Sequence, residues 1–355
     1  MPSVKKTNSL VGLDIESGSV AATEVVGNGQ RAVGRTAIVP LEPGVVREGG
    51  VQDPGALSSA LSDLFSRHKL SKSVRLGIAN QRVVVRTLRL PRIEDKDELD
   101  AAVRFRAQDE IPMPLDQAVL DHRIIGKGEG VDGNPQIDVL AVAARRDMIH
   151  PLVQAMREAG LSPAGIDLSA FGMIRALAPS TGAVADESGE LPLPTTVYCH
   201  LGDVTNIAVA RGNGCLFTRV SPFGVETIAD RLASRDGVTL DEARERLMDV
   251  GLDEELDWFE GDDGSTSARE ELERGAGKLC DELRMSMEFY GAQEGVTPVE
   301  RVVVCGAGST IPGLAERIRG DLGLEILRES PNELSHLDDE DAARLTVSYG
   351  LALGE

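Results

Sequence analysis

One local plan occurs twice in this chain, about 185 residues apart, and it constrains the fold more than any other feature. Residues 10–15 (LVGLDI) and 20–26 (VAATEVV) read as strands around a short polar turn, Glu16 to Ser19, and Gly27-Asn28-Gly29 leads into a third strand, Arg31 to Val39. Residues 196–201 (TVYCHL), a turn opened by Gly202-Asp203-Val204-Thr205, then NIAVA, Gly212-Asn213-Gly214 and CLFTRV repeat that order. An Asn-Gly pair between apolar runs supplies the positive φ angles that a tight hairpin needs. The repetition predicts an α/β chain built from two related halves, with two unrelated hairpins as the plainer alternative. Pro179 to Pro194, rich in Pro, Gly, Ser and Thr, reads as the linker or a surface loop between them.

Helices are expected at Pro54 to His68, at Glu94 to Glu110 ahead of Pro112, and at His150 to Ala159 closed by Gly160. In the second half they are expected at Val225 to Ser234, at Leu240 to Val250, and along the core-facing stripe Leu279, Leu283, Met287 and Tyr290. With 355 residues, two lobes are more natural than one core, and with aromatics at 3% that core is built from Val, Leu, Ile and Ala.

The net charge of −21 argues against nucleic acid or an anionic lipid surface as a direct partner. Residues 241–273 hold 14 Asp or Glu against three Arg, which reads as a solvated face, with Gly261 to Ser267 as a turn. The four cysteines and five histidines show no CxxC or other zinc-motif spacing, so reduced cytosolic thiols are expected. No apolar run is long enough to span a bilayer, and Asp14 interrupts the first apolar segment where a signal peptide needs its centre. The expectation is a cytoplasmic protein without direct membrane insertion.

Three polar turns have the composition that lets backbone N–H groups converge on a phosphate: Asp14 to Ser19 with Ser17 and Gly18, Gly202-Asp203-Val204-Thr205-Asn206, and Gly306-Ala307-Gly308-Ser309. The third follows an apolar strand, Arg301 to Cys305, and precedes a helix expected at Pro312 to Ile318. Taken singly, each reads as an ordinary tight turn.

Together, the two turn-bearing hairpins and the later strand, Gly-x-Gly and helix resemble the actin-like nucleotide-binding superfamily, which includes actin, the Hsp70 chaperones and the sugar kinases. Within it the chain resembles the PilM family of type IV pilus assembly proteins, with the cell-division protein FtsA more distant. The likeness runs from Val11-Gly-Leu-Asp-Ile15 to Ser348-Tyr-Gly-Leu-Ala-Leu353 and is most specific in ELDAAVRFRAQDEIPMPLDQAVLD (98–121) and VLAVAARRDMI (139–149). It implies duplicated ribonuclease-H-like lobes with an inserted α+β (SHS2-type) subdomain: residues 8–79 and 161–185 as the first lobe, 80–160 as the insertion, 195–355 as the second lobe. It also implies an ATP and Mg²⁺ cleft, with Asp14 and Asp203 as metal-side residues.

This chain departs from that pattern at the chemically decisive places. Glu16 stands where the family has glycine, Ala21 where it has lysine, His200 where it has the magnesium-holding aspartate, and Leu247 near an adenine-side lysine. A carboxylate facing phosphates repels them, and a missing lysine removes a cation. Two functions follow from the resemblance. One is an active ATPase or sugar-kinase-like enzyme. The other, favoured by these departures, is a scaffold peripheral to the inner membrane that captures the N-terminal cytoplasmic tail of a PilN-like protein. The resemblance puts that tail between the first lobe and the insertion, near Val83, Val85, Arg86, Leu88, Met113 and Leu115, with Met113 and Leu115 equally able to be core. Arg145 and Arg146 are expected in surface ion pairs or a helix cap. Self-association into a homo-oligomer is compatible with the fold.

Overall fold

In the computed structural model, which describes residues 9–27, 31–129, 133–178, 193–253, 264–293 and 295–354, both expected three-strand meanders are present. Asn28 and Gly29, residues 179–192 of the expected linker, and residues 261–263 of the expected acidic turn lie outside the described residues. Strands β1 (Ser9–Ile15), β2 (Ser19–Val26) and β3 (Ala32–Pro40) pair antiparallel in sequence order. The small hairpin β4 (Val46–Arg47) and β5 (Gly50–Val51) leads to helix α1 (Pro54–His68) and to β6 (Ser73–Ile78), parallel to β1. Asp53 caps α1 by accepting the Ala56 N–H at 2.9 Å, and Pro54 opens it where its missing donor is harmless.

Next come β7 (Val83–Pro91), α2 (Lys96–Glu110), β8 (Ala118–Glu129), β9 (Pro135–Arg145) and α3 (Arg146–Glu158). Strand β10 (Ser162–Leu168) then pairs parallel to β6 and runs into α4 (Ser169–Leu177). The second meander is β11 (Thr195–Leu201), β12 (Thr205–Arg211) and β13 (Gly214–Ser221), followed by α5 (Val225–Asp236), α6 (Leu240–Val250) and α7 (Ser265–Gly291). The chain continues through β14 (Arg301–Cys305), α8 (Leu314–Leu322), β15 (Glu325–Arg328) and α9 (Asp339–Ala352).

The two five-stranded sheets have the same construction. Orders β3-β2-β1-β6-β10 and β13-β12-β11-β14-β15 each join a meander to two further strands, the first of them parallel to the opening strand of its meander. The duplication expected from the sequence is therefore a duplication of topology. Alternation along β11 sends Val197, Cys199 and Leu201 into an apolar core with α5, α6 and α7, where Leu279, Leu283 and Tyr290 of the expected stripe are buried.

Several helix boundaries differ from the sequence reading, among them the start of α2 at Lys96 rather than Glu94 and the end of α5 at Asp236 rather than Ser234. Helix α3 starts at Arg146 rather than His150: its buried stripe opens at Met148 and runs through Leu152, Ala155 and Met156, directly behind the charged pair Arg146-Asp147. Helix α8 starts at Leu314 rather than Pro312, since Gly313 at φ 74° sits outside the helix. Helix α7 reaches back to Ser265, and the acidic run is not simply a solvated face. Glu271 is only 6% exposed and ion-paired with Arg274 and Arg235, as a buried carboxylate requires.

Helix α9 follows the second sheet in sequence yet covers the first. Leu345, Tyr349 and Ala352 pack with Ala21 and Val25 of β2, and the Thr23 and Ser348 hydroxyls hydrogen-bond at 2.7 Å. The approach to β1 is so close that a Cβ on Gly12 would lie 1.8 Å from the Ser348 carbonyl oxygen.

By contacts the chain forms two compact units, one of residues up to Ala79 together with Ala155 onward, the other Asn80–Gln154. In the latter, β9 is central in the order β7-β9-β8, which leaves β7 and β8 as edge strands. Leu88, Leu90, Val139 and Ala141 of its sheet pack on Leu99 and Val103 of α2.

Candidate functional site

The first polar turn follows β1 and the second follows β11, so the equivalent strands of the two sheets deliver Asp14 and Glu16 on one side and His200 and Asp203 on the other. Between the turns lies a cleft of about 790 Å³ walled by Ser17, Gly18, Ser19, Gly202, Asp203 and Ala307 among others. Of the remaining residues singled out in the sequence, Asp14, Thr205, Asn206, Gly306, Gly308 and Ser309 are buried. The Thr205 hydroxyl donates to the Phe223 carbonyl at 2.7 Å and that of Ser309 to the Gly306 carbonyl at 2.7 Å. Those hydroxyls hold the turns in shape.

The two turns are tied to each other directly. The Ser17 N–H donates to Asp203 Oδ2 at 2.9 Å, and the Val204 N–H donates to Asp203 Oδ1 at 2.7 Å. A backbone donor of the first turn, the kind of group that would meet an anionic ligand, is taken by the protein's own carboxylate. Glu16 packs closely on the second turn: a Cβ on Gly202 would collide with Glu16 Oε1, and the Glu16 side chain would have to swing aside to admit one. The same Glu16 oxygen stands 3.6 Å from His200 Nδ1. The two departures from the family pattern therefore meet each other across the cleft floor.

Burial dominates the electrostatics of this cluster. It pushes the Asp14 carboxyl up to about 7, with the neighbouring charge of Glu16 adding to the rise. It pushes Glu16 up to about 8, helped by Asp203 and partly offset by the Arg344 guanidinium. Asp203 is also raised by burial, against the lowering effect of the Ser17 and Val204 hydrogen bonds, and burial lowers His200. The floor is thus acid-rich and short of cations.

Several groups that shape the site were not singled out from the sequence. Arg244 of α6 lies over Gly18 and is held by Glu226 and by Asp241, whose Oδ1 is 2.5 Å from Nη1. Arg244, Glu226 and Arg344 line the cleft, as do the acidic-run residues Asp241, Glu245 and Asp249. For Arg244 the signal was an arginine inside a stretch otherwise read as a solvated acidic face; Glu226 and Arg344 lie outside that stretch, on α5 and α9. Ala21 is placed otherwise than a phosphate-facing residue would be: it is 6% exposed and packs in the apolar cluster under α9. Leu247 is buried and contributes to the cleft wall.

In the unit Asn80–Gln154, Val83, Val85 and Arg86 lie on edge strand β7, whereas Leu88 is 2% exposed inside the core. Met113 and Leu115 are half-buried and pack against that same core. Arg145 forms two hydrogen bonds to Asp147, at 3.1 and 2.6 Å, which is the expected surface ion pair, whereas Arg146 donates to the Asp116 carbonyl in the turn before β8 and caps no helix there. No helix among the described residues is long and apolar enough to cross a membrane.

Comparison with solved structures gives the class. A chain of the structure described as the PilM-PilN type IV pilus biogenesis complex superposes with a TM-score of 0.79 at 24% identity, covering 97% of this chain and 97% of that one. The ethanolamine utilization protein EutJ from Carboxydothermus hydrogenoformans gives 0.53 at 15% identity, covering 100% and 91%, and MreB5 of Spiroplasma citri bound to ADP gives 0.53 at 13%, covering 98% and 96%. The fold is actin-like. The family described as type IV pilus assembly protein PilM matches residues 12–354, and the chain belongs to that family.

Proposed function

We propose that this chain is a cytoplasmic scaffold of type IV pilus assembly that binds the N-terminal cytoplasmic tail of a PilN-like inner-membrane protein, and that its cleft serves as architecture rather than for Mg-ATP turnover. Family membership and the likeness to a chain from a PilM–PilN complex support the partner. The observation that carries the cleft reading is the Ser17 N–H donating to Asp203, with the Glu16 carboxylate alongside. Phosphoryl transfer needs Mg²⁺ and positive charge around the γ-phosphate, and this floor offers three acidic groups and an imidazole lowered by burial.

Edge strand β7 offers unpaired backbone groups within its sheet for an extended tail, with Val83 and Val85 as the side chains beside it. A net charge of −21 favours a basic juxtamembrane tail and disfavours the lipid surface itself, which makes attachment to the membrane indirect. Fluorescence anisotropy with a labelled synthetic tail tests the partner: saturable binding is expected, weakened at least tenfold by Val85→Asp. Calorimetry with Mg-ATP tests the cleft, and sub-micromolar binding would overturn that half.

A further inference from the structure

We propose that Asp14, Glu16 and His200 form a site for a single divalent transition-metal ion of the Zn²⁺ or Co²⁺ kind, held directly by two carboxylate oxygens and one imidazole nitrogen. One ligand atom from each residue lies within 4.8 Å of the other two. Metal–donor bonds of about 2.0–2.2 Å set donor–donor separations near 3.4 Å, so a side-chain rotation of roughly 1 Å completes the geometry. Glu16 can supply it, its side chain being 21% exposed at the cleft.

Two further observations point to a ligand. His200 is 5% exposed, and its imidazole makes no hydrogen bond to any described residue; its Nδ1 stands 3.6 Å from Glu16 Oε1, beyond hydrogen-bond length. Opposite it in register, on the same face of the sheet, Asn206 Oδ1 is buried and has no hydrogen-bond partner. Around these groups the supporting contacts of a metal site are present. Ser169 Oγ donates to Asp14 Oδ1 at 3.1 Å and orients it, while Asp203, engaged by two backbone N–H groups, adds negative charge without being needed as a ligand. An imidazole in the set selects a borderline-soft ion over Mg²⁺, which prefers oxygen donors alone. Because the ligands come from opposite halves of the chain, no motif spacing reveals them.

The inference goes beyond the scaffold reading and does not depend on tail capture, which is measured separately in chelator. The full chain, stripped with EDTA and dialysed, is titrated with Co²⁺, then with Zn²⁺ in competition. One Co²⁺ per chain with visible ligand-field bands is expected, displaced by Zn²⁺ and not by millimolar Mg²⁺. Glu16→Gln and His200→Asn each weaken binding at least tenfold. Asp63→Asn, on the exposed face of α1, leaves it unchanged. Circular dichroism establishes that each variant is folded, and the isosteric Glu16→Gln keeps the test decisive if His200→Asn is not. Absence of saturable one-to-one binding, affinity unmoved by Glu16→Gln, or displacement by Mg²⁺ overturns the proposal.

Discussion

Ser17 donates its backbone N–H to Asp203 Oδ2 at 2.9 Å across 186 residues of chain, so the two polar turns of the cleft are held together by the protein's own anion. The same carboxylate accepts from Val204. Asp203→Ala leaves both donors without their acceptor, and a loss of about 1–3 kcal/mol is expected from urea unfolding at unchanged m-value. Parent-like stability would mean that relief of acid crowding cancels the hydrogen bonds.

Glu16 gives a pH dependence of unusual sign. Its carboxyl sits at about 8 in the folded chain against an ordinary 4.5. The folded chain therefore keeps a proton that the unfolded chain releases from about pH 4.5 upward, and stability falls as pH rises through that window. In EDTA, Glu16→Gln should be more stable than the parent by a few kcal/mol at about pH 8.5, with the gap closing near pH 4. A gap of constant size across that range would refute the linkage.

Gly12 is required by the approach of α9. An added Cβ would lie 1.8 Å from the Ser348 carbonyl oxygen and 2.6 Å from the Ala352 nitrogen, and both are backbone atoms that cannot rotate away. Gly12→Ala should destabilise by about 3 kcal/mol or more and expose α9 to limited proteolysis. Proteolytic resistance equal to the parent's would show that the helix shifts without loosening.

Restoring the family pattern tests why the cleft floor is acid-rich. Glu16→Gly with His200→Asp removes the carboxylate beside Gly202 and returns the aspartate, and at least tenfold tighter Mg-ATP binding by calorimetry is expected. Ala21→Lys should not help, because Ala21 packs in the apolar cluster under α9, and an ammonium there lowers stability instead. Tighter nucleotide binding by Ala21→Lys alone would contradict that placement.

Much of the fold was legible because the information is local. The Gly-Asn-Gly segment 212–214, the apolar run TVYCHL and the start of α1 at Pro54 each act within a few residues, and the second meander and helix α1 follow from them. Boundaries shifted at helix starts that carry charge, such as α3, where Arg146-Asp147 precede the buried stripe that opens at Met148. In the site, Glu16 and His200 were recognisable as departures, but their meeting at 3.6 Å was not, since each belongs to a different half. Arg244 was hidden for a similar reason. Its partner Glu226 lies on another helix, and an arginine in an acidic run carries no mark of facing a cleft. Alternation assigned Ala21 to one face of β2 without saying which face α9 covers.

The docking of α9 also sets an order of events during synthesis. Thr23 meets Ser348 across 325 residues, and at about 5–20 residues per second a ribosome takes roughly 15–65 s to make that stretch. Throughout that interval Ala21 and Val25 lack their permanent cover. The first half of this chain is thus born early and completed last, with the β2 face that α9 covers left open until the end of synthesis.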